Sequence, residues 1–266
     1  MKNYVLSNGI EIPEIGYGTW LIKNEDASKC VQMALEAGYR HIDSAKAYGN
    51  EEGVGEGIRA SGIAREEIFV TTKVPAEFKS YKKAKQSIEE SLEKLNIGYI
   101  DLILIHCPQP WKLFGSPFHY YKQNVQVWKA FEEAYEAGKV KAIGVSNFNE
   151  KDLQNIFDNC KIRPMVNQIE INPGYSELNI VEFCNKNNIV VEAYSPIAHG
   201  RALKNKTIIA MAEKYGVSVA QLCIKYTLQL GTVSLPKASS KEHIEDNLKL
   251  DFEISSEDME ALKQLG

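Results

Sequence analysis

Eight times along this chain a short apolar run is followed by a stretch with helical patterning. The runs are Ile15 to Trp20, Arg40 to Asp43, Ile68 to Lys73, Ile100 to His106, Val140 to Ser146, Val166 to Ile171, Ile189 to Ser195 and Val233 to Pro236. Helices are predicted between them over Asp26 to Ala37, Glu51 to Ala60, Tyr81 to Leu95, Asn124 to Ala137, Glu150 to Phe157, Glu177 to Asn187, Lys206 to Tyr215 and Ser218 to Leu230, with a last one from Lys241 to Leu248. Runs without polar alternation are what parallel strands covered on both faces look like.

Eight parallel strand-helix units close a sheet and leave no edge strand, so the pattern predicts an α/β fold, a (β/α)8 TIM barrel, as one unit over residues 1–266. A doubly wound open sheet is the competing arrangement. It is disfavoured because no G-x-G-x-x-G follows the first run and because polar residues end the runs all along the chain. Ahead of the first run, Tyr4-Val-Leu and Ile10-Glu-Ile flank Ser7-Asn-Gly, which predicts a hairpin capping the bottom of the barrel. The stretch from Cys107 to Lys122, rich in proline and aromatic residues, is the longest irregular segment and is expected to form a lid-like loop.

In such a barrel the strand ends face one mouth, and that is where active sites sit. Asp43, Lys73, His106, Ser146 with Asn147, Gln168, Tyr194 and Lys237 all fall at those ends, and Tyr48 follows Asp43 by five residues. Any one of them is explained by a strand ending in something soluble; the set is not. Tyr48 is the natural proton donor, and a nearby Lys73 ammonium is expected to lower its pKa by stabilising phenolate. Asp43 would pair with the lysine, and His106 could donate to or orient a carbonyl oxygen. The constellation polarises C=O.

Other chemistries fit less well. His41, His106, His119, His199 and His243 are scattered without H-x-H or H-E-x-x-H spacing, so no metal site is expected. Gly144-Val-Ser-Asn lacks the second glycine of a serine-hydrolase elbow. A Schiff-base role for Lys73 would leave Tyr48 and Asp43 without work. A net charge of -4 gives no footprint for nucleic acid. No long apolar run or leader-like segment suggests a membrane partner, and five widely spaced cysteines fit a cytoplasmic location.

A polarised carbonyl needs a nucleophile, and no side chain in the set is suited to attack it. A hydride from a bound nicotinamide would serve. Tyr194 could stack on the ring, and Ser146, Asn147 and Gln168 could bond its carboxamide. The run from Pro236 through Asn247 enters a helix where Ser239 or Ser240 can cap and Lys237 adds charge, which suits a phosphate.

The chain resembles the aldo-keto reductases over essentially its whole length. The matching segments are Gly16-Tyr-Gly-Thr-Trp, Ile42-Asp-Ser-Ala-Lys-Ala-Tyr-Gly-Asn-Glu, Thr72-Lys-Val, Leu104-Ile-His-Cys-Pro, Lys141-Ala-Ile-Gly-Val-Ser-Asn-Phe, Asn167-Gln-Ile-Glu, Ala193-Tyr-Ser-Pro and Leu235-Pro-Lys. The resemblance implies a (β/α)8 barrel that binds NADPH, with NADH possible, and reduces aldehydes or ketones by hydride transfer. It implies a catalytic tetrad of Asp43, Tyr48, Lys73 and His106, with Tyr48 the general acid. Cofactor contacts would come from Thr19, Trp20, Asp43, Ser146, Asn147, Gln168, Tyr194, Ser195, Pro196, Ile197, Lys237, Ala238, Ser239, Ser240, His243 and Asn247. Trp20, Tyr48, His106, Cys107 and Trp111 would meet a small carbonyl substrate. A monomer or weak dimer is expected. The alternative is a non-catalytic subunit that senses NADP(H) on the same fold.

Three departures from the family pattern bear on specificity. Cys107 stands where relatives commonly carry tryptophan, so one aromatic wall of the pocket is expected to be missing. Ala238 and His243 replace a serine and an arginine that relatives use on the 2′-phosphate, and imidazole holds phosphate less well than guanidinium. The chain is expected to end soon after the helix beginning at Lys241, without the long C-terminal loop of larger relatives.

Overall fold

The computed structural model describes residues 2–265; Met1 and Gly266, the ends of the expected unit, lie outside the described residues. Eight parallel strands follow one another in sequence order around the sheet: β3 (Tyr17–Gly18), β4 (His41–Asp43), β5 (Phe69–Val74), β6 (Ile100–Ile105), β7 (Val140–Ser146), β8 (Val166–Glu170), β9 (Val190–Tyr194) and β10 (Val233–Leu235). The first and last meet. Gly16 N donates to Ser234 O at 2.8 Å, Gly18 N to Pro236 O at 2.9 Å and Ser234 N to Glu14 O at 2.9 Å, so the sheet curls into a nearly closed barrel. Glycine is needed at the seam, because a Cβ on Gly16 would lie 2.6 Å from both His41 Nδ1 and a Leu235 methyl.

The expected hairpin is β1 (Asn3–Val5) paired antiparallel with β2 (Glu11–Pro13), Tyr4 opposite Ile12. Its turn lies at the bottom: Asn8 Nδ2 donates to the Lys141 carbonyl at the start of β7, at 2.9 Å, while Leu6 and Ile12 are buried in the core. The strands are buried along almost their whole length, as expected for a sheet covered by helices on its outer face.

Helices alternate with these strands: α1 (Asn24–Ala37), α2 (Glu51–Ala60), α3 (Tyr81–Leu95), α4 (Tyr121–Glu136), α5 (Glu150–Phe157), α6 (Leu178–Lys186), α7 (Lys206–Tyr215), α8 (Val219–Gln229) and α9 (Lys241–Asp246). Local chemistry sets their starts. Asn149 with Asp152 and Ser218 with Gln221 form reciprocal capping boxes for α5 and α8, and Ser80 caps α3. The strand-helix alternation is as the sequence predicts, with element ends differing by up to three residues.

One helix was not predicted. A tenth, α10 (Ser256–Lys263), follows α9, so the helix starting at Lys241 is not the last. Ser255 caps it by accepting from the Asp258 N–H at 3.2 Å, and it buries Met259 and Leu262. The Leu262 carbonyl accepts from Gly174 N at 2.9 Å, which ties the chain's end to the loop after β8. Among the described residues no helix is long and apolar enough to cross a membrane.

Candidate active site

The barrel register brings the chemistry of distant segments together. Asp43 ends β4, and the chain then makes a single 3-10 turn, Lys46–Tyr48, stopped by Gly49 at φ 69°. That left-handed conformation favours glycine and sets the entry to α2. Asn50 fixes the entry from the side: its Oδ1 accepts from Ser44 Oγ and its Nδ2 donates to the Thr19 and Ile22 carbonyls, all at 2.9 Å. The loop carrying Trp20 is thereby tied to the segment carrying Tyr48.

Lys73, on the neighbouring β5, is fully buried. Its ammonium donates to both oxygens of Asp43 at 2.7 Å and to the Ser44 carbonyl at 2.9 Å, and it sits 5.1 Å from the centre of the Tyr48 ring. His106 follows β6 directly and meets Tyr48 edge to face, centroids 5.6 Å apart. The acid, phenol, ammonium and imidazole expected at one rim are therefore in one cluster.

Burial and charge set their ionisation. Burial alone would lower the pKa of the Lys73 ammonium; the Asp43 carboxylate beside it more than reverses this and the net direction is up, so the lysine stays protonated. His106 is pushed down to about 3 by burial and by the Lys73 and Lys79 charges, so its imidazole is neutral. Tyr48 departs from expectation. Burial raises its pKa and outweighs the opposing pull of Lys73, so the net direction is up rather than down. The phenol keeps its proton.

The residues expected to bond an amide lie together at the ends of the neighbouring strands. Ser146 Oγ donates to the Gln168 carbonyl at 2.8 Å, Asn147 Nδ2 to Ser146 Oγ and the His106 carbonyl at 3.1 Å, and the half-buried Tyr194 hydroxyl to Asn147 Oδ1 at 2.8 Å. Ser195 lies at φ 52°, its hydroxyl 3.5 Å from His199 Nδ1, with Pro196 buried and Ile197 half-buried behind it. Beyond β10, Lys237, Ser239, Ser240 and His243 are exposed at the entry to α9, where Ser240 Oγ accepts from the His243 N–H at 3.3 Å. Ala238 and Asn247 are buried; the Ala238 carbonyl accepts from Tyr17 Oη at 2.5 Å. Thr19 is also buried, its hydroxyl donating to the Asp43 carbonyl at 2.9 Å.

One expectation about the substrate walls changes. The Cys107 side chain is fully buried and presents no surface to the mouth, whereas its carbonyl accepts from Lys79 Nζ at 2.6 Å. Trp111, expected at the substrate, stands beside His106: a 3-10 turn, Trp111–Leu113, brings its ring to within 5.3 Å of His106, edge to face, with Phe114 packed on Trp111 at 5.8 Å. Gln109 holds this loop together by donating to the Ser116 and Phe118 carbonyls and accepting from Gly115 N at 3.0 Å. Trp20, 45% exposed, stands edge-on to His199 at 5.3 Å. A cavity of about 360 Å³ opens beside Tyr194 and Asn147 under the loop.

Three residues were overlooked in the sequence. Lys79, pushed down to about 8 by burial, clamps the backbone after His106 by bonding Cys107 O and Asn124 Oδ1. Asn50 is the second. Glu192 is the third, fully buried beside Gln168, and its signal was a lone carboxyl inside Val190-Val-Glu-Ala. Among the described residues no three His, Cys, Asp or Glu side chains gather as a metal site.

A parallel barrel with a buried Asp-Lys pair, a phenol and a neutral imidazole at its mouth is the architecture of an oxidoreductase acting on carbonyl groups, and the comparisons agree. The pattern of the Aldo/keto reductase family matches residues 14–266, and the chain belongs to that family. It is 42% identical over 266 residues to the 9,11-endoperoxide prostaglandin H2 reductase of Trypanosoma cruzi (strain CL Brener), covering 98% of this chain and 90% of that one. It is 41% identical over 263 residues to the glyoxal reductase of Bacillus subtilis (strain 168), covering 98% and 91%. Among solved structures, an aldo/keto reductase from Brucella melitensis superposes with a TM-score of 0.91 at 38% identity, covering 100% of this chain and 99% of that one. A Bombyx mori aldo-keto reductase in complex with NADP superposes at 0.87 with 36% identity, covering 99% and 92%.

Proposed function

We propose that this chain is an NADPH-dependent reductase of small aldehydes and ketones in which Tyr48 is the proton donor. The observation that carries the reading is the convergence of Lys73, held by Asp43, with the Tyr48 ring, itself against His106. A dinucleotide, when bound, supplies the hydride that none of these side chains can provide. The residues present suit one: Gln168 has a side-chain oxygen with no partner among the described residues, Tyr194 offers a ring at the mouth, and Lys237, Ser239 and Ser240 offer donors to phosphate.

The roles then follow from charge. Neutral His106 donates one N–H to the carbonyl oxygen and orients it toward Tyr48. As the carbonyl carbon gains a hydride, its oxygen takes the Tyr48 proton. The phenolate left behind is stabilised by the Lys73 ammonium until solvent restores the proton, and Asp43 keeps that ammonium charged and aimed.

The named activity of the Bacillus relative supports small dicarbonyl substrates, and Trp20, Trp111 and Phe114 support an aromatic group beside the carbonyl. The bound NADP of the Bombyx neighbour supports NADPH. His243 and Ala238 weaken the hold on its 2′-phosphate and leave room for NADH. The test is turnover per KM with both dinucleotides over a panel of aldehydes, dicarbonyls and ketones. NADPH is expected to be preferred, and His243→Arg to widen that preference; no reduction with either dinucleotide would overturn the reading.

A further inference from the structure

The Gln168 side chain sits between two carboxyl groups. Its Nε2 donates to Asp43 Oδ2 at 2.9 Å and to Glu192 Oε2 at 2.8 Å, one from β4 and one from β9. Asp43 already receives both Lys73 bonds and can only accept, so the amide nitrogen, not its oxygen, belongs on the inner side. Glu192 is fully buried, and its other oxygen lies 3.5 Å from His41 Nε2 and makes no hydrogen bond among the described residues. Burial first, then Asp43, pushes the Glu192 carboxyl up to about 8, so at neutral pH it is an uncharged group. His41 beside it is likewise neutral, pushed down to about 3 by burial and Lys73. A charged side chain in this place would be costly, and the described residues around it (His41, Asp43, Lys73 and Gln168) include one cation already committed to Asp43.

An apolar residue would fill this volume without any of that cost, so the polar contact calls for an explanation. We propose that Glu192 is a positioning residue: by accepting from the inner side of the Gln168 amide it fixes which way that amide faces and leaves the Gln168 carbonyl oxygen as the acceptor offered to a nicotinamide carboxamide. With Asp43 as the sole inner acceptor, one of the two Gln168 N–H bonds is unanchored and the amide can rotate away. Glu192 thereby links the cofactor-facing amide to the Asp43–Lys73 pair. The inference rests on the nicotinamide reading given above.

The test measures binding of NADPH, and of 2′-phospho-ADP-ribose as the fragment without nicotinamide, to wild type and to Glu192→Gln, Glu192→Met and Gln168→Leu. Glu192→Gln keeps a neutral acceptor and should bind NADPH within about twofold of wild type, whereas Glu192→Met should weaken NADPH about fivefold to tenfold and leave the fragment unchanged. Adding Glu192→Met to Gln168→Leu should cost nothing further. If Gln168→Leu selectively weakens NADPH and Glu192→Met does not, the positioning role is wrong and the nicotinamide reading stands; equal weakening of both ligands by Glu192→Met also overturns it, as a general disturbance of the barrel. If Gln168→Leu leaves NADPH untouched, the nicotinamide reading of this residue is what fails. Should the Met variant not fold, Glu192→Ala carries the same comparison.

Discussion

Replacing Lys73 with methionine removes one partner of a buried ion pair and keeps the side chain's length. Lys73 has no exposed side-chain surface and Asp43 has 6%, so after the change the carboxylate stays in the barrel with Gln168 as its remaining side-chain donor. Breaking a buried pair from one side costs about 3–5 kcal/mol, because the remaining charge has lost its compensation. For a chain of this size the unfolding entropy is about 0.6 kcal/mol per degree, so Lys73→Met should melt roughly 7 °C below wild type. Neutralising the other partner as well, in Asp43→Asn/Lys73→Met, should restore most of the loss. Thermal and urea denaturation at pH 7 on the four members of the cycle measure this. Lys73→Met as stable as wild type, or a double variant no better than Lys73→Met, would refute the claim that the pair is a buried, mutually compensating unit.

Further expectations concern the neighbours of that pair. With His106 held neutral to about pH 3, kcat/KM for carbonyl reduction should show no break near pH 6.5; a break there that disappears in His106→Gln would contradict the neutral imidazole. Glu192 titrates at about 8 folded against 4.5 as its ordinary value, so its contribution to stability is full below 4.5 and is lost as pH rises through 8. Glu192→Gln should therefore flatten the decline in stability between those limits and gain on wild type as pH rises; a constant offset at every pH would count against it. Trp111→Ala should raise KM for aromatic aldehydes about tenfold, with little change for a dicarbonyl that has no ring, and equal effects on both would remove Trp111 from the pocket wall.

The barrel was legible because its strands are apolar on both faces and each ends where a polar group first becomes soluble; Asp43, Lys73 and His106 stand out on that rule alone. Other features depend on contacts that no local pattern encodes. Trp111 lies five residues past His106 in an irregular loop, and only the 3-10 turn returns its ring to the imidazole. The direction of the Tyr48 shift turned on burial, which a neighbouring charge in the sequence does not report. Glu192 was absorbed into an apolar run, although a carboxyl between Val191 and Ala193 was itself the sign of a buried partner. The helix α10 was overlooked for a different reason: Met259 and Leu262 are the only apolar residues it buries, a weak periodic signal.

The most direct measurement is on Tyr48→Phe, which removes one oxygen and leaves the ring packed against His106. Turnover of an aldehyde with NADPH should fall by about a hundredfold or more while NADPH binding stays within about twofold of wild type. Turnover within a few-fold of wild type would contradict the assignment of the proton to this phenol.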